Sequence, residues 1–170
     1  DTLTTDTTET TDDIQTITVD QLPPHIAEAA QRAGWTKLMP VQVRAIPYLL
    51  DGQDVMIQAR TGSGKTGAFL LPMLERLDPN KATTQALILV PTRELAHQVW
   101  HEAEVLCGSS GMRTVAVYGG VGYGPQIDAL KQGAHIVVGT PGRILDHLLK
   151  RTLVLDKLEI LIFDEADRML

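Results

Sequence analysis

The chain has 170 residues, enough for one domain with a real core, and is 44% hydrophobic and 21% charged, the balance of an ordinary globular protein. No apolar run approaches the roughly 18 to 20 residues of a membrane span, no signal-peptide pattern is visible at its start, and the single Cys107 excludes an internal disulfide, in keeping with a cytoplasmic location. The net charge of −6 argues only weakly against a nucleic-acid partner: six acids and no base fall in residues 1–20, and the remainder holds 15 acids and 15 bases, so a local basic face is open to it.

Residues 1–18, mostly Thr and Asp, cannot bury enough apolar area to offset the ordering of a backbone and read as a disordered acidic tail ahead of a domain spanning 19–170. The chain starts without Met and stops just after "DEADRML", so both ends are expected to be cuts in a longer protein. Two helices are expected near 24–33 and 40–50. Five short, near-continuously apolar runs come next, at 54–59, 86–90, 114–118, 135–139 and 159–164, the pattern of strands buried on both faces. Helical patterns separate them at 66–77, 93–107, 125–132 and 143–150, and the second places Leu95, Val99, Trp100, Ala103 and Leu106 on one stripe. Alternating strand and helix predicts an α/β fold, a parallel sheet with helices on both faces, and places function in the loops at the carboxyl ends of the strands.

After the first run comes "ARTGSGKT", residues 59–66. Glycines between a strand and a helix let backbone N–H groups close around an anion, Lys65 reaches β- and γ-phosphates, and the Thr66 hydroxyl suits Mg²⁺. Ala59, Arg60, Thr61, Gly62, Ser63, Gly64, Lys65 and Thr66 are therefore the candidate nucleotide-binding loop. After the fifth run comes "DEAD". Asp164 is placed to hold the metal shell, and Glu165 to orient or deprotonate an attacking water, against the plainer reading of an acidic helix start. Two further strand ends, "VPTRELA" and "GTPGRIL", put free N–H groups and one arginine each, Arg93 and Arg143, at a helix start. That suits a phosphodiester backbone but also ordinary caps, with Thr140 at the N-cap and Pro141 at N1. Gly119 and Gly120 come after the third run and permit close backbone approach. His97 and His101 stand at i, i+4, but without an evident third ligand they read as solvated, while Trp100, Met39, Met56 and Met73 read as packing.

As a set, "ARTGSGKT", "PTREL", "GG", "TPGR" and "DEAD" resemble the DEAD-box ATP-dependent RNA helicases over roughly residues 17–170, and "GWTKLMPVQ", 34–42, resembles that family's Q motif. The likeness implies the first RecA-like, phosphate-loop domain, with ATP and Mg²⁺ as cofactors and RNA as partner. It assigns adenine to Gln42, whose carboxamide can accept from N6–H₂ and donate to N7, with Trp35 behind the base pocket. Ile17 stands where the family has a stacking Phe, and Leu38-Met39 where it has Pro-Thr or Pro-Ser. Lys65, Asp164 and Glu165 would be catalytic, with Thr66 and Asp164 at the metal. Pro91, Thr92, Arg93, Gly119, Gly120, Thr140, Pro141, Gly142 and Arg143 would contact RNA without reading sequence, and Asp167 would couple to a neighbouring domain. The second RecA-like domain and its arginine finger are expected outside this chain, so the chain alone is expected to bind nucleotide but hardly turn it over. A non-catalytic nucleotide-dependent RNA- or protein-binding module and a DNA-directed helicase are the alternatives.

Overall fold

The computed structural model describes residues 16–108 and 110–170; the acidic stretch 1–15 lies outside the described residues. Four strands, β1 (Ala86–Leu89), β2 (Thr114–Val117), β3 (Ile136–Gly139) and β4 (Ile160–Phe163), form one sheet in the order β2-β3-β1-β4, all neighbours parallel. The register aligns Val117, Gly139, Leu89 and Phe163 across the sheet. The loops at the carboxyl ends of all four strands therefore leave from a single edge.

Side chains alternate across the pleat. Ala86, Ile88, Ile136 and Val138 face the larger core, which they share with α1 (Pro24–Arg32), α3 (Lys65–Arg76) and α4 (Arg93–Cys107). Leu87, Val115, Val117 and Val137 face the smaller one, closed by Leu130 of α5 (Gly124–Lys131) and Ile144 of α6 (Pro141–Leu149). Helix α3 is buried continuously from Gly67 to Leu74, and packs against α1, α2 (Pro40–Leu50) and α4. On α4 the expected stripe holds: Val99, Ala103 and Leu106 are buried, while Leu95 and Trp100 are half-buried against the core.

The sequence expectation fails in several places. Residues 54–59 do not form a strand: within the described chain the sheet ends at β4, and no backbone hydrogen bond pairs this segment with another. Val55 and Met56 are exposed, Met56 at 99%, so Met56 is not packing; Met39, at 41%, is not core either, whereas Met73 is buried. Burial on both faces holds for the central strands β1 and β3, but β4 alternates, with Leu161 and Phe163 exposed. A strand's faces are covered by what packs on the sheet, and only the face of β4 that carries Ile160 and Ile162 lies against the larger core, so an apolar run does not by itself imply two covered faces. Of residues 16–18, assigned to the tail by composition, Thr18 is extended and Ile17 packs against the larger core.

Candidate nucleotide and RNA site

The loop 60–66 turns on two glycines with positive φ, Gly62 at 79° and Gly64 at 88°, and Gly64 is the N-cap of α3. A Cβ at Gly64 would lie 2.7 Å from Met39 Sδ and 2.9 Å from Gln42 Nε2, so only glycine fits this approach. Ser63 Oγ is buried without a hydrogen-bond partner, an orphan polar atom in a loop whose helix starts with free N–H groups. That donor set suits a polyphosphate.

Lys65 and the acidic strand end meet. Lys65 Nζ lies 3.2 Å from Asp164 Oδ1 and 3.1 Å from Glu165 Oε1, across about a hundred residues of chain. Asp164 is held by the sheet, its N–H donating to Leu89 O at 2.9 Å, and is 4% exposed. Glu165 takes a left-handed conformation, φ 55° and ψ 45°, which a non-glycine residue adopts at a penalty of about 1–2 kcal/mol. Burial works against the Lys65 ammonium, but hydrogen bonds to Glu165 and Asp164 outweigh it, and its pKa lies above the ordinary lysine value. The phosphate loop and the carboxylates thus stand on the same side of the sheet, close enough to share one cation. Thr66, one residue into α3, is half-buried beside them, and Asp167 is exposed in the short 3₁₀ turn Ala166–Arg168.

Gln42 is not the solvated helix residue that its position alone would allow. It is 3% exposed; its Oε1 accepts from Met39 N–H at 2.9 Å and its Nε2 donates to Gly64 O at 3.2 Å. The amide therefore ties the start of α2 to the phosphate loop. Trp35 lies against α3: a Cβ at Gly67 would collide with the edge of its indole, and would sit 2.8 Å from Gln42 Nε2. A cleft of about 310 Å³ opens beside this cluster, lined by Ile17, Val19, Leu38 and Val43 among others.

The other strand ends gather on the same edge. Pro91 and Thr92 are half-buried, and the Thr92 hydroxyl caps α4 by accepting from Leu95 N–H at 3.2 Å. Arg93 is exposed, its guanidinium 5.1 Å from the Tyr118 ring centroid, over a groove of about 450 Å³ shared with Glu94, His97 and Gln98. His97 packs edge-on against Trp100, and His101 is exposed. Gly119 and Gly120 are exposed, Gly120 at φ 82°. Thr140 occupies the N-cap of α6 and Pro141 its first turn, but the Thr140 side chain makes no capping bond; Gly142 has open space around it. Arg143 departs furthest from expectation. It is 8% exposed, with Nη1 donating to Val121 O at 2.9 Å and Gln126 Oε1 at 3.1 Å, and with its guanidinium 3.9 Å over the Tyr123 ring. Sequence reasoning missed Tyr118, Tyr123, Gln126 and His147, which surround these loops; the one available signal was a polar residue, Gln126, at a core-facing helix position.

A parallel sheet with a glycine loop and an acidic strand end sharing one lysine defines a phosphate-loop α/β domain. A family model described as DEAD/DEAH box helicase matches residues 39–170, and the chain belongs to that family. It is 53% identical over 149 residues to the ATP-dependent RNA helicase DeaD of Escherichia coli K12, covering 85% of this chain and 23% of that protein. It is 49% identical to the ATP-dependent RNA helicase CshA of Listeria monocytogenes, covering 88% of this chain and 29% of that protein. The crystal structure of a DEAD box protein from the hyperthermophile Methanococcus jannaschii superposes with a TM-score of 0.81 at 45% identity, covering 87% of this chain and 40% of that one. The chain thus spans about a quarter of the length of the curated relatives it matches. No helix among the described residues is long and apolar enough to cross a membrane.

Proposed function

We propose that this chain is the ATP-binding and RNA-binding half of an ATP-dependent RNA helicase that separates short duplexes or remodels RNA–protein complexes. The observation that carries this reading is Lys65 standing within 3.2 Å of both Asp164 and Glu165, behind a glycine loop with an unpartnered serine hydroxyl. The names of the curated relatives support ATP as the nucleotide and RNA as the partner.

In this reading the amides of residues 61–66 cradle the β- and γ-phosphates, and Lys65 exchanges its carboxylate partners for phosphate oxygens. Mg²⁺, held by the Thr66 hydroxyl and the Asp164 carboxylate, would neutralise charge on the phosphates. Glu165, released from Lys65, accepts a proton from the water whose oxygen attacks the γ-phosphorus as the bond to ADP breaks. Base recognition falls to the cleft beside Ile17, with Ile17 offering apolar contact but no ring face; Gln42 keeps a second N–H and a second oxygen lone pair for adenine beyond its bonds to Gly64 and Met39. Backbone contacts from the loops at 91–93, 119–120 and 140–143 carry no base code, so RNA is held without sequence preference. Asp167 faces the second RecA-like domain.

The experiment is ATP hydrolysis by the intact protein with and without single-stranded RNA. RNA-stimulated turnover that Glu165→Gln abolishes, while nucleotide still binds, is the expected result. Equal stimulation by DNA of the same sequence would redirect the reading to a DNA-directed enzyme, and absence of any hydrolysis to a non-catalytic module.

A further inference from the structure

Gln126 of α5 is 5% exposed, and its carboxamide sits between the loops at the carboxyl ends of β2 and β3. Nε2 donates to Tyr118 O at 3.0 Å, the carbonyl just before Gly119-Gly120. Oε1 accepts from Arg143 Nη1 at 3.1 Å and from His147 Nε2 at 2.9 Å. These contacts place one proton on the His147 ring. An amide oxygen only accepts, so His147 Nε2 carries a hydrogen, while Nδ1 lies 2.7 Å from Thr152 Oγ1, whose hydroxyl also donates to His147 O at 3.1 Å. Burial, then the charges of Arg143 and Lys150, lowers the His147 pKa, in keeping with a neutral ring. Arg143 holds Val121 O with the same nitrogen, at 2.9 Å, and stacks on Tyr123, whose hydroxyl donates to Asp146 Oδ2 at 2.8 Å. On the other side the ring of Tyr118 carries Arg93.

The geometry points to Gln126 as a positioning residue that fixes the loops at 90–93, 118–121 and 140–143 into one preformed surface, with Arg93 the arginine presented to a phosphate and Arg143 an internal brace. The inference rests on the reading of this chain as RNA-binding and deepens it. A glycine-bearing loop such as 119–120 would otherwise have to be ordered when a strand binds, and that entropy would be subtracted from affinity. One buried amide removes the loss for two loops directly, and for the third through the Tyr118–Arg93 contact. Nothing in this arrangement touches residues 61–66, so the effect is confined to one ligand.

The test uses the intact protein with a non-hydrolysable ATP analogue, a fluorescein-labelled decauridylate, and a fluorescent ADP. Gln126→Leu removes all three bonds; Gln126→Glu keeps an acceptor for Arg143 and His147 but offers no donor to Tyr118 O, and serves alone if Gln126→Leu does not fold. Both are expected to weaken decauridylate binding about tenfold, the equivalent of one positioning hydrogen bond, with fluorescent ADP affinity within about twofold of the parent. Amides of 118–121 and 140–143 are expected to exchange faster in both, and those of 61–66 unchanged. Arg93→Gln is expected to reduce the slope of log affinity against log salt by about 0.7, the contribution of one phosphate on a single strand, while Arg143→Gln lowers affinity and leaves the slope. Parental RNA affinity and exchange in both Gln126 variants, or an equal slope change in the two arginine variants, overturns the inference. If the parent protein itself fails to bind decauridylate, the RNA reading falls, and the exchange data alone decide whether Gln126 holds the loops.

Discussion

Lys65 shows how much one side chain depends on its surroundings. Its ammonium serves two carboxylates, one of them almost fully buried, so removing it leaves Asp164 unpaired and, in the proposed function, also deprives a phosphate of its partner. Lys65→Ala is expected to weaken nucleotide binding by about ten- to a hundredfold, the range for a lost charge-assisted hydrogen bond; unchanged affinity by calorimetry would count against the phosphate loop. Gly67 tests packing rather than charge. A helical glycine is ordinarily less stable than alanine by about 0.5–1 kcal/mol, so Gly67→Ala should help. Here the added methyl meets Trp35 and Gln42, and overpacking costs about 1–3 kcal/mol. A net loss in urea stability is expected, largely restored when Trp35→Phe is added to make room; restoration by no smaller ring would show that the conflict lies elsewhere. Cys107 is passive: burial, then the charge of Glu104, pushes its thiol to about 12, so alkylation of the folded chain should be negligible at neutral pH.

At the scale of elements, the segment 54–59 and the strand β4 are the instructive pair. Both are apolar runs of the kind that fills a parallel sheet, yet only β4 pairs, through Leu161 with Leu87 and Phe163 with Leu89. Composition says that a segment can be buried; pairing requires a neighbour, and in the described chain the sheet stops at β4. Amide exchange on the 170-residue chain should therefore be fast across 54–59 and slowest in β1 and β3, which are flanked on both sides. Protection of 54–59 comparable with β1 would contradict the unpaired state. Helix α4 behaves as its pattern predicts, because a stripe of Val99, Ala103 and Leu106 needs only one surface to lie on.

Across the whole molecule, two buried histidines set the response to pH. His135 is fully buried; its Nδ1 accepts from Arg113 N–H at 2.8 Å and its Nε2 donates to Pro79 O at 3.1 Å, so a second proton would meet a backbone donor. His147 is fully buried too, bonded through Nε2 to Gln126 and in contact through Nδ1 with the Thr152 hydroxyl. Burial comes first in both, then Arg113 for His135 and Arg143 and Lys150 for His147, and both pKa values are lowered from 6.5. Below that value the unfolded chain takes up protons that the folded chain refuses. Stability is therefore complete above pH 6.5 and declines as pH falls towards the folded-state pKa values. Urea midpoints are expected to be flat from about pH 8 to 7 and to drop between about 6.5 and 5, before ordinary carboxylates titrate. His147→Gln should remove part of that drop, and a profile unchanged by it would assign the dependence to other groups. The raised pKa of Lys65 acts only at the alkaline end, where its contribution is lost as pH climbs past the folded value.

The sequence by itself determined the chain of parallel strands and helices, the glycine loop, the acidic strand end and the order of the loops along the chain. These are local matters: periodicity, the φ freedom of Gly62 and Gly64, and the chemistry of Lys65 and Asp164 are carried by neighbours in the chain. Only the tertiary structure decided that 54–59 stays unpaired, that Gln42 is buried against Gly64, and that Arg143 turns inward to Gln126 while Arg93 stays out. Those outcomes depend on which groups approach from 17 to 25 residues away, and a side chain's free donors and acceptors are known only once its distant partners are in place.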